Sequence, residues 1–403
     1  MFAYKGLSRR VACALRSPAR VVLGIETSCD ETGAAVMDET GRILGETLHS
    51  QKEIHLKAGG IIPTVAQRLH KEHICRVVQE ALDRSGVAPS ELSAVATTVK
   101  PGLALSLGVG LKFSLSFVKL HQKPFIPIHH MEAHALTVRM FQPVEFPFLV
   151  LLVSGGHSLL ALARGVDDFV LLGQTLDEAP GDTLDKVARR LSLVKHPKCC
   201  SLSGGQAIEL LAKEGDRLKF QFKIPMGQHY DCNFSFAGLR NQVTIAINKK
   251  EKEEGILQGQ LLSCVQDIAA ATQHTVALHI AKRTFRAILF CKAKGHLPQS
   301  NPTLVVSGGV ASNEYIRETL RIVTDATGLQ LLCPPSEFCT DNGVMIAWNG
   351  VERLKEGKGI VSHTQEVCYE PKAPLGRDIS TEWNSGSLAK LSTDDKASLV
   401  LLL

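Results

Sequence analysis

No stretch of this 403-residue chain is apolar for anything like the roughly 20 residues that a membrane-spanning helix needs. The longest apolar runs, such as Phe148 to Val153 and the terminal Leu399 to Leu403, stop far short of it, so no membrane span is expected. A hydrophobic content of 44% over this length is enough to bury a large core and allows two domains. No Cys-x-x-Cys pair occurs among the 11 cysteines. An odd count with one adjacent doublet, Cys199-Cys200, makes a poor disulfide framework, and a reducing compartment fits it better. Gly-x-x-x-x-Gly-Lys-Ser/Thr is also missing, which disfavours a P-loop nucleotide site. No acidic residue precedes Glu26, while Lys5, Arg9, Arg10, Arg16 and Arg20 occur with Ser8 and Ser17. Residues 1–20 therefore read as a mitochondrial presequence, the other reading being a basic tail that binds nucleic acid. Setting those five charges aside leaves 40 basic residues against 40 acidic ones. A nucleic-acid partner must then meet a local patch. Lys186/Arg189/Arg190/Lys195/Lys198 and Arg217/Lys219/Lys223 are the candidates, as phosphate contacts or as solvated helix faces.

What is present is a repeated plan. Val21 to Ile25 is apolar, Glu26 to Thr32 is polar, and Gly33 to Met37 is apolar again, which predicts a β-hairpin with a polar tip. Phe148 to Val153, Ser154-Gly155-Gly156-His157-Ser158 and Leu159 to Ala163 repeat it about 130 residues later. Two related lobes follow: an α/β fold with duplicated mixed β-sheet cores. It resembles the two-lobed architecture shared by actin, the sugar kinases and the ATPase domain of heat-shock chaperones. Residues 21–145 plus 333–370 are expected to form lobe I, residues 146–332 lobe II, and residues 371–403 a flexible tail. Ala94 to Val99 reads as a strand that Lys100-Pro101-Gly102 turns into a helix over Ser106 to Leu120, a turn able to offer backbone N–H groups to an anion. A helix begins near Gly181 and runs through Leu191. Residues 238–290 are helix-rich, with a solvated loop expected at the charge run Lys249 to Glu254. Thr303 to Val306 reads as a strand, Asn313 as a helix cap, and Val344 to Leu354 as the last helix.

Ile128-His129-His130-Met131-Glu132-Ala133-His134 carries the most specific chemistry. On a helix entered at Pro127, His130 and His134 share a face and can hold one metal ion, unless they are simply histidines on a half-exposed face. A zinc peptidase needs His-Glu-x-x-His, and here the Glu comes two residues after the first His. Glu132 is rotated about 200° from His130 and points away from the ion. A third ligand is best sought at Asp341, on a polar turn opening the last helix, where it is either a ligand or an N-cap. Two His and one carboxylate leave open positions and suit Fe²⁺ or Zn²⁺. Ser154-Gly155-Gly156, Ser203-Gly204-Gly205 and Ser307-Gly308-Gly309 can let a ligand approach the backbone. Converging with Asp182, Asp185 and Asn313, they point to a nucleoside phosphate site.

Leu23 to Thr32, His129 to His134, Val153 to His157, Gly181 to Arg189, Phe234 to Leu239, Ser307 to Asn313 and Thr340-Asp341-Asn342 together resemble the universal tRNA threonylcarbamoyl transferases, once called O-sialoglycoprotein endopeptidases. The resemblance covers about residues 21 to 370, and the basic N-terminus makes the chain similar to mitochondrial members. It implies transfer of threonylcarbamoyl from threonylcarbamoyl-adenylate to N6 of adenosine 37 in mitochondrial tRNAs reading codons that begin with A. AMP would be released. The resemblance also implies His130, His134 and Asp341 as ligands of one divalent ion per subunit. Val153, Ser154, Gly155, Gly156 and His157 would line the donor site, with Asp185, Gly205 and Asn313 on the adenylate. It further implies a homodimer in the mitochondrial matrix, supplied by an adenylate-forming synthase and acting on the tRNA anticodon loop. The chain departs from the family at Lys100-Pro101-Gly102, usually Gly-Pro-Gly, and at Ser203-Gly204-Gly205, usually Pro-Gly-Gly, which follows an unusual insert at His196 to Cys200.

The chemistry agrees with the residues. An adenine N6 lone pair is delocalised and attacks poorly, so the acyl group must arrive on a good leaving group, and positioning supplies much of the catalysis. Two other functions compete for the same residues: a zinc metallopeptidase, against which the displaced Glu132 argues, and a nucleotide-binding scaffold without catalysis.

Overall fold

The structure, a computed structural model, describes residues 20–58 and 60–380. The expected presequence up to residue 19 and the tail beyond residue 380 lie outside the described residues. Val21–Glu26 (β1) and Glu31–Asp38 (β2) pair antiparallel, with Val21 opposite Asp38 and Glu26 opposite Gly33, so the expected hairpin with its polar tip forms. Ile43–Ser50 (β3) continues the meander. After Lys52–Lys57 (α1) and Pro63–Ser85 (α2), Ala94–Lys100 (β4) lies parallel to β1. Ala104–His121 (α3) then leads to Phe125–His129 (β5), parallel to β4, and to the short helix His130–Leu136 (α4).

The second half repeats this order. Phe148–Val153 (β6), Ser158–Ala163 (β7) and Phe169–Gln174 (β8) form an antiparallel meander. Pro180–Arg190 (α5), Gly204–Ala212 (α6), Ala237–Glu254 (α7) and Val265–Ala293 (α8) follow. Thr303–Ser307 (β9) then pairs parallel with β6, and, beyond Glu314–Thr327 (α9), Gln330–Leu332 (β10) pairs parallel with β9. The sheet orders β3-β2-β1-β4-β5 and β8-β7-β6-β9-β10 are the same plan twice, which establishes the duplicated two-lobed α/β fold. Gly343–Glu356 (α10) returns to the first sheet, and Arg377–Asp378 (β11) adds to the edge of the second beside β8.

Strands β1 and β6 are buried along their whole length, and residues of opposite parity in β1 enter different cores. Leu23 and Ile25 pack with Ile74 and Val77 of α2, while Val22 packs in a cluster with Ala347 and Val351 of α10. A strand covered on both faces reads as a continuous apolar run, which is how both hairpins appear in the sequence. Met131 and Ala133 of α4 share that second cluster with Phe148 and Val150 of β6, so α4 and α10 lie where the two sheets meet.

Three expectations fail for identifiable reasons. Pro127 does not open a helix; it sits inside β5, the edge strand of its sheet, a position where a missing N–H is tolerated. The charge run Lys249 to Glu254 is no loop but the end of α7. Lys and Glu are good helix formers, Lys250 pairs with Glu253 at 2.6 Å, and Glu251 takes both Nη2 of Arg190 at 2.6 Å and its Nη1 at 2.7 Å. The chain also does not become a tail at residue 371. Leu375 and Ile379 are buried, and β11 is registered with β8. All ten cysteines of the described residues are free thiols, and no helix there is long and apolar enough to cross a membrane.

Candidate active site

Helix α4 begins where the ring of His129 caps it, its Nδ1 accepting the Met131 N–H at 3.2 Å. Burial drives the His129 pKa down to about 3, which keeps that nitrogen an acceptor. One turn of helix then brings His130 and His134 together, with ring centroids 4.7 Å apart. Asp341 reaches them from the far end of the sequence. The N-cap of α10 is its neighbour Asn342, whose side chain accepts the Met345 N–H at 2.8 Å, so the Asp341 carboxylate is left to face the histidines. Its Oδ1 lies 3.3 Å from His130 Nε2 and 3.1 Å from His134 Nε2, and the two Nε2 atoms are 3.2 Å apart.

Glu26, at the end of β1 and fully buried, decides what this cluster can do. Its Oε2 lies 3.2 Å from His130 Nδ1 and accepts the Thr98 hydroxyl at 2.5 Å, while Oε1 accepts the Ser28 N–H at 2.5 Å. Burial alone would raise the Glu26 pKa, but the adjacent His130 outweighs it and holds it below the ordinary value. An anionic acceptor there places a proton on His130 Nδ1 and turns a bare Nε2 lone pair inward. Two imidazole nitrogens and a carboxylate oxygen then converge on one point, an arrangement that repels itself unless a cation sits among them. The three side chains fit a divalent ion: their donor atoms all lie within 4.8 Å of one another, and no other such group of three occurs among the described residues. Carboxylate, imidazole and ion in series is the usual way a second carboxylate orients a metal-bound His. Burial would lower the His130 pKa, yet Asp341 and Glu26 outweigh it and push it up to about 10, the same demand for positive charge met by a proton.

Glu132 is spent elsewhere. It accepts from Arg353 Nη2 at 2.5 Å, with both side chains about nine-tenths buried, and so bolts α4 to α10. Arg139 to Glu352 at 2.7 Å and Trp348 Nε1 to Leu136 O at 3.0 Å add to that joint. Ligands from two ends of the chain are thereby held in register, and Glu132 cannot serve as a peptidase base.

Lobe II faces this centre with its glycine turns. Close packing joins them: a Cβ on Gly181 would stand 2.8 Å from Gly155 Cα, one on Gly204 2.4 Å from Asp185 Oδ1, and one on Gly308, at φ +96°, 2.4 Å from the Val153 carbonyl oxygen. The hairpin tip, the starts of α5 and α6 and the Gly308 turn therefore form one continuous floor. Gly155, Gly156 and Gly205 have open space where a side chain would be. His157 lies close enough to His130 and Asp341 to feel their charge, and burial lowers its pKa to about 4. Asp185 Oδ1 accepts the Gly205 N–H at 3.1 Å. Asn313 caps α9, accepting the Ile316 N–H at 3.0 Å, and donates to Gln273 Oε1 at 2.9 Å. Beside them, a cavity of about 340 Å³ is lined by Glu209, Lys213, Gln273, Glu314 and Tyr315, among others.

Two sequence expectations weaken here. In the Lys100-Pro101-Gly102 turn, the Gly102 N–H goes to Pro371 O and the Leu103 N–H to Ser28 O, so neither is offered to an anion. The basic clusters are largely satisfied internally: Lys186 pairs with Asp182, Arg190 with Glu251, Lys198 with Glu214 and Lys219 with Asp267. Lys195 and Arg217 bond to Gly259 O and the Tyr315 hydroxyl.

Residues 42–348 match the family model TsaD, tRNA N6-adenosine threonylcarbamoyltransferase. A Danio rerio protein named mitochondrial tRNA N6-adenosine threonylcarbamoyltransferase is 80% identical over 363 residues, 90% of either chain. The chain belongs to the tRNA N6-adenosine threonylcarbamoyltransferases. The Homo sapiens member, also named mitochondrial, is 64% identical over 369 residues, 92% of this chain and 89% of that one. The Paramagnetospirillum magneticum member is 40% identical over 355 residues, 88% of this chain and 97% of that one. Among solved structures, HypF of T. kodakarensis shares the fold, with a TM-score of 0.52 at 15% identity over 84% of this chain and 48% of that one. Within this family member, sequence reasoning missed Glu26 as the orienting carboxylate and Glu209 and Gln273 as cavity walls. Glu26 alone carried a signal, as the first acidic residue, placed at a strand end before a polar turn.

Proposed function

We propose that this chain works in the mitochondrial matrix, transferring threonylcarbamoyl from threonylcarbamoyl-adenylate to N6 of adenosine 37 in mitochondrial tRNAs that read codons beginning with A. The observation that carries this reading is the three-atom cluster of His130, His134 and Asp341 facing a glycine floor with an adjoining cavity large enough for a nucleobase. The floor at Val153 to His157, with Gly205, leaves room for the phosphate and acyl group of the donor. Asp185 and Asn313, each already oriented by a bond to the protein, contact the nucleoside. The 340 Å³ cavity takes its base. A bound Zn²⁺ or Fe²⁺, one per subunit, would hold the donor and polarise its reacting carbonyl.

The chain's own groups supply orientation. N6 attacks the carbamoyl carbon, the bond from that carbon to the phosphate oxygen breaks, AMP leaves with the electron pair, and the N6 proton passes to the departing phosphate or to water. Holding donor and acceptor in line accounts for much of the acceleration. Flipping the acceptor out of its stack costs roughly a few kcal/mol, and less in a single-stranded anticodon loop than in a duplex. The working unit is a homodimer supplied by an adenylate-forming synthase. Purified protein mixed with the adenylate and unmodified tRNA yields modified tRNA and AMP; no product, with donor synthesis verified in the same tube, refutes the proposal. A non-catalytic scaffold would instead keep full tRNA modification in a His130→Ala, His134→Ala variant.

A further inference from the structure

The cavity of about 340 Å³ has one aromatic side chain in its wall, Tyr315 of α9. Everything else that lines it is small, amide-bearing or charged, so Tyr315 supplies its only aromatic face. The phenol hydroxyl is held from two sides. Arg217 Nη1 donates to it at 2.6 Å, and it donates in turn to His274 Nδ1 of α8 at 2.7 Å. Burial, and then the Arg217 charge, lowers the His274 pKa, which keeps that nitrogen an acceptor. The two rings stand 79° apart with centroids separated by 6.0 Å and are joined through the hydroxyl, so His274 meets the tip of the phenol ring and not its face. Arg217 is itself on a turn anchored to α8. A Cβ on Gly215 would stand 2.1 Å from Gln266 O, and Asp267 accepts the Asp216 N–H at 2.9 Å. A ring fixed in this way has lost its freedom before any ligand arrives, which lowers the cost of binding one.

The cavity adjoins the glycine floor through shared segments. Gly205 and Glu209 stand about one turn apart on α6, the first over the open space of the floor and the second in the cavity wall. Asn313, two residues before Tyr315, donates to Gln273, another wall residue, at 2.9 Å. Glu209 Oε1 accepts the Glu314 N–H at 2.8 Å and so ties α6 to the start of α9. A purine is flat and uncharged, with its hydrogen-bonding groups on its edge. Carboxylates and amides can therefore grip the edge, while its two faces need a flat apolar partner. We propose that Tyr315 stacks on the adenine of the donor, with Arg217 and His274 as positioning residues that fix the ring through its hydroxyl. The proposal rests on the proposed function, in which this cavity takes the base.

The test titrates the full metal-loaded chain with AMP and with ribose 5-phosphate, which keeps the sugar and phosphate but lacks the base. Loss of one base–aromatic stack corresponds to about a 5- to 150-fold change in affinity. Tyr315→Ala therefore raises the Kd for AMP and the KM for threonylcarbamoyl-adenylate by at least about fivefold. The Kd for ribose 5-phosphate and the KM for an unmodified anticodon stem-loop RNA stay at their wild-type values. Tyr315→Leu, which keeps bulk in the wall without an aromatic face, behaves like Tyr315→Ala. Tyr315→Phe keeps the ring without its two bonds, and its AMP affinity falls between wild type and Tyr315→Ala. An unchanged Kd for AMP in Tyr315→Ala and Tyr315→Leu overturns the stack, and so does equal weakening toward AMP and ribose 5-phosphate in whichever of the two melts like wild type. AMP binding in Tyr315→Phe equal to wild type overturns the positioning role of Arg217 and His274. Wild-type protein that makes no modified RNA from the adenylate defeats the proposed function instead. Wild-type activity with an indifferent Tyr315→Ala defeats the stack alone.

Discussion

Glu26→Gln separates the orienting role of a carboxylate from its bulk. Glutamine has the same shape, but one of its two terminal atoms donates instead of accepting. Glu26 now accepts from the Ser28 N–H, the Thr98 hydroxyl and the His130 ring. The Ser28 backbone donor cannot turn away, so the amide oxygen stays on it and the NH₂ group faces Thr98 and His130. Thr98 can rotate its hydroxyl to accept. His130 Nδ1, left with only the neutral Ser28 hydroxyl at 3.2 Å as an acceptor and faced by the amide donor, gives up its proton more readily to Nε2, the atom facing His134 and Asp341. A protonated Nε2 has no lone pair for an ion. Loss of an orienting partner of a metal-bound His typically costs about 10- to 100-fold in metal affinity, or about 1.4–2.8 kcal/mol. The assay is competition for Zn²⁺ between the purified protein and a chromogenic chelator, with thermal melting of the metal-free form as the control for folding. Zn²⁺ affinity within about twofold of wild type, in a variant that melts normally, would refute the tautomer argument.

Three further outcomes follow from the same geometry. Glu132→Ala leaves Arg353 as a buried unpaired cation and should cost about 3–5 kcal/mol in urea unfolding, whereas Glu132→Leu with Arg353→Met recovers most of it; equal losses in both variants would contradict this. Gly204→Ala drives a methyl group to 2.4 Å from Asp185 Oδ1 and should cost about 1–3 kcal/mol, while Gly205→Ala, with nothing within 4 Å of its new carbon, should melt like wild type and raise the KM for the adenylate. Buried His279, whose Nε2 accepts the Ser235 N–H at 3.2 Å, has its pKa lowered by burial to about 3. Between that value and the unfolded value of roughly 6.5, the unfolded chain binds the extra proton. Stability therefore falls as pH drops through this window, by about 1.4 kcal/mol per unit from this group. Urea titrations at pH 7 and pH 5 should differ by about 2 kcal/mol more in wild type than in His279→Gln. Equal differences would show that the ring is not held neutral.

The apolar runs of β1, β2, β6 and β7 exceed in length and purity what a half-exposed strand carries, so both hairpins and their repetition could be read directly. The four-residue spacing of His130 and His134 specified a shared helix face, and the two-residue spacing of Glu132 specified its absence from that face. Asn313 was legible as a cap because capping is a local bond. Pro127, the charge run at Lys249 to Glu254 and residues 371–380 were misread because what decides each is remote in sequence. A sheet edge accommodates the proline, Arg190 of another helix takes Glu251, and β8 takes β11.

The sequence by itself determined which side chains can act and which short segments they stand on, since periodicity, capping and turn chemistry operate over a few residues. Tertiary structure alone decided what those side chains face. Asp341 becomes a partner of His130 only because α10 packs on α4 through the Arg353–Glu132 bolt. Glu26 becomes the carboxylate that orients His130 only because β1 ends against β4 and the start of α4. Electrostatic demand is a property of converging charges in a dry interior, and convergence is set by folding over hundreds of residues.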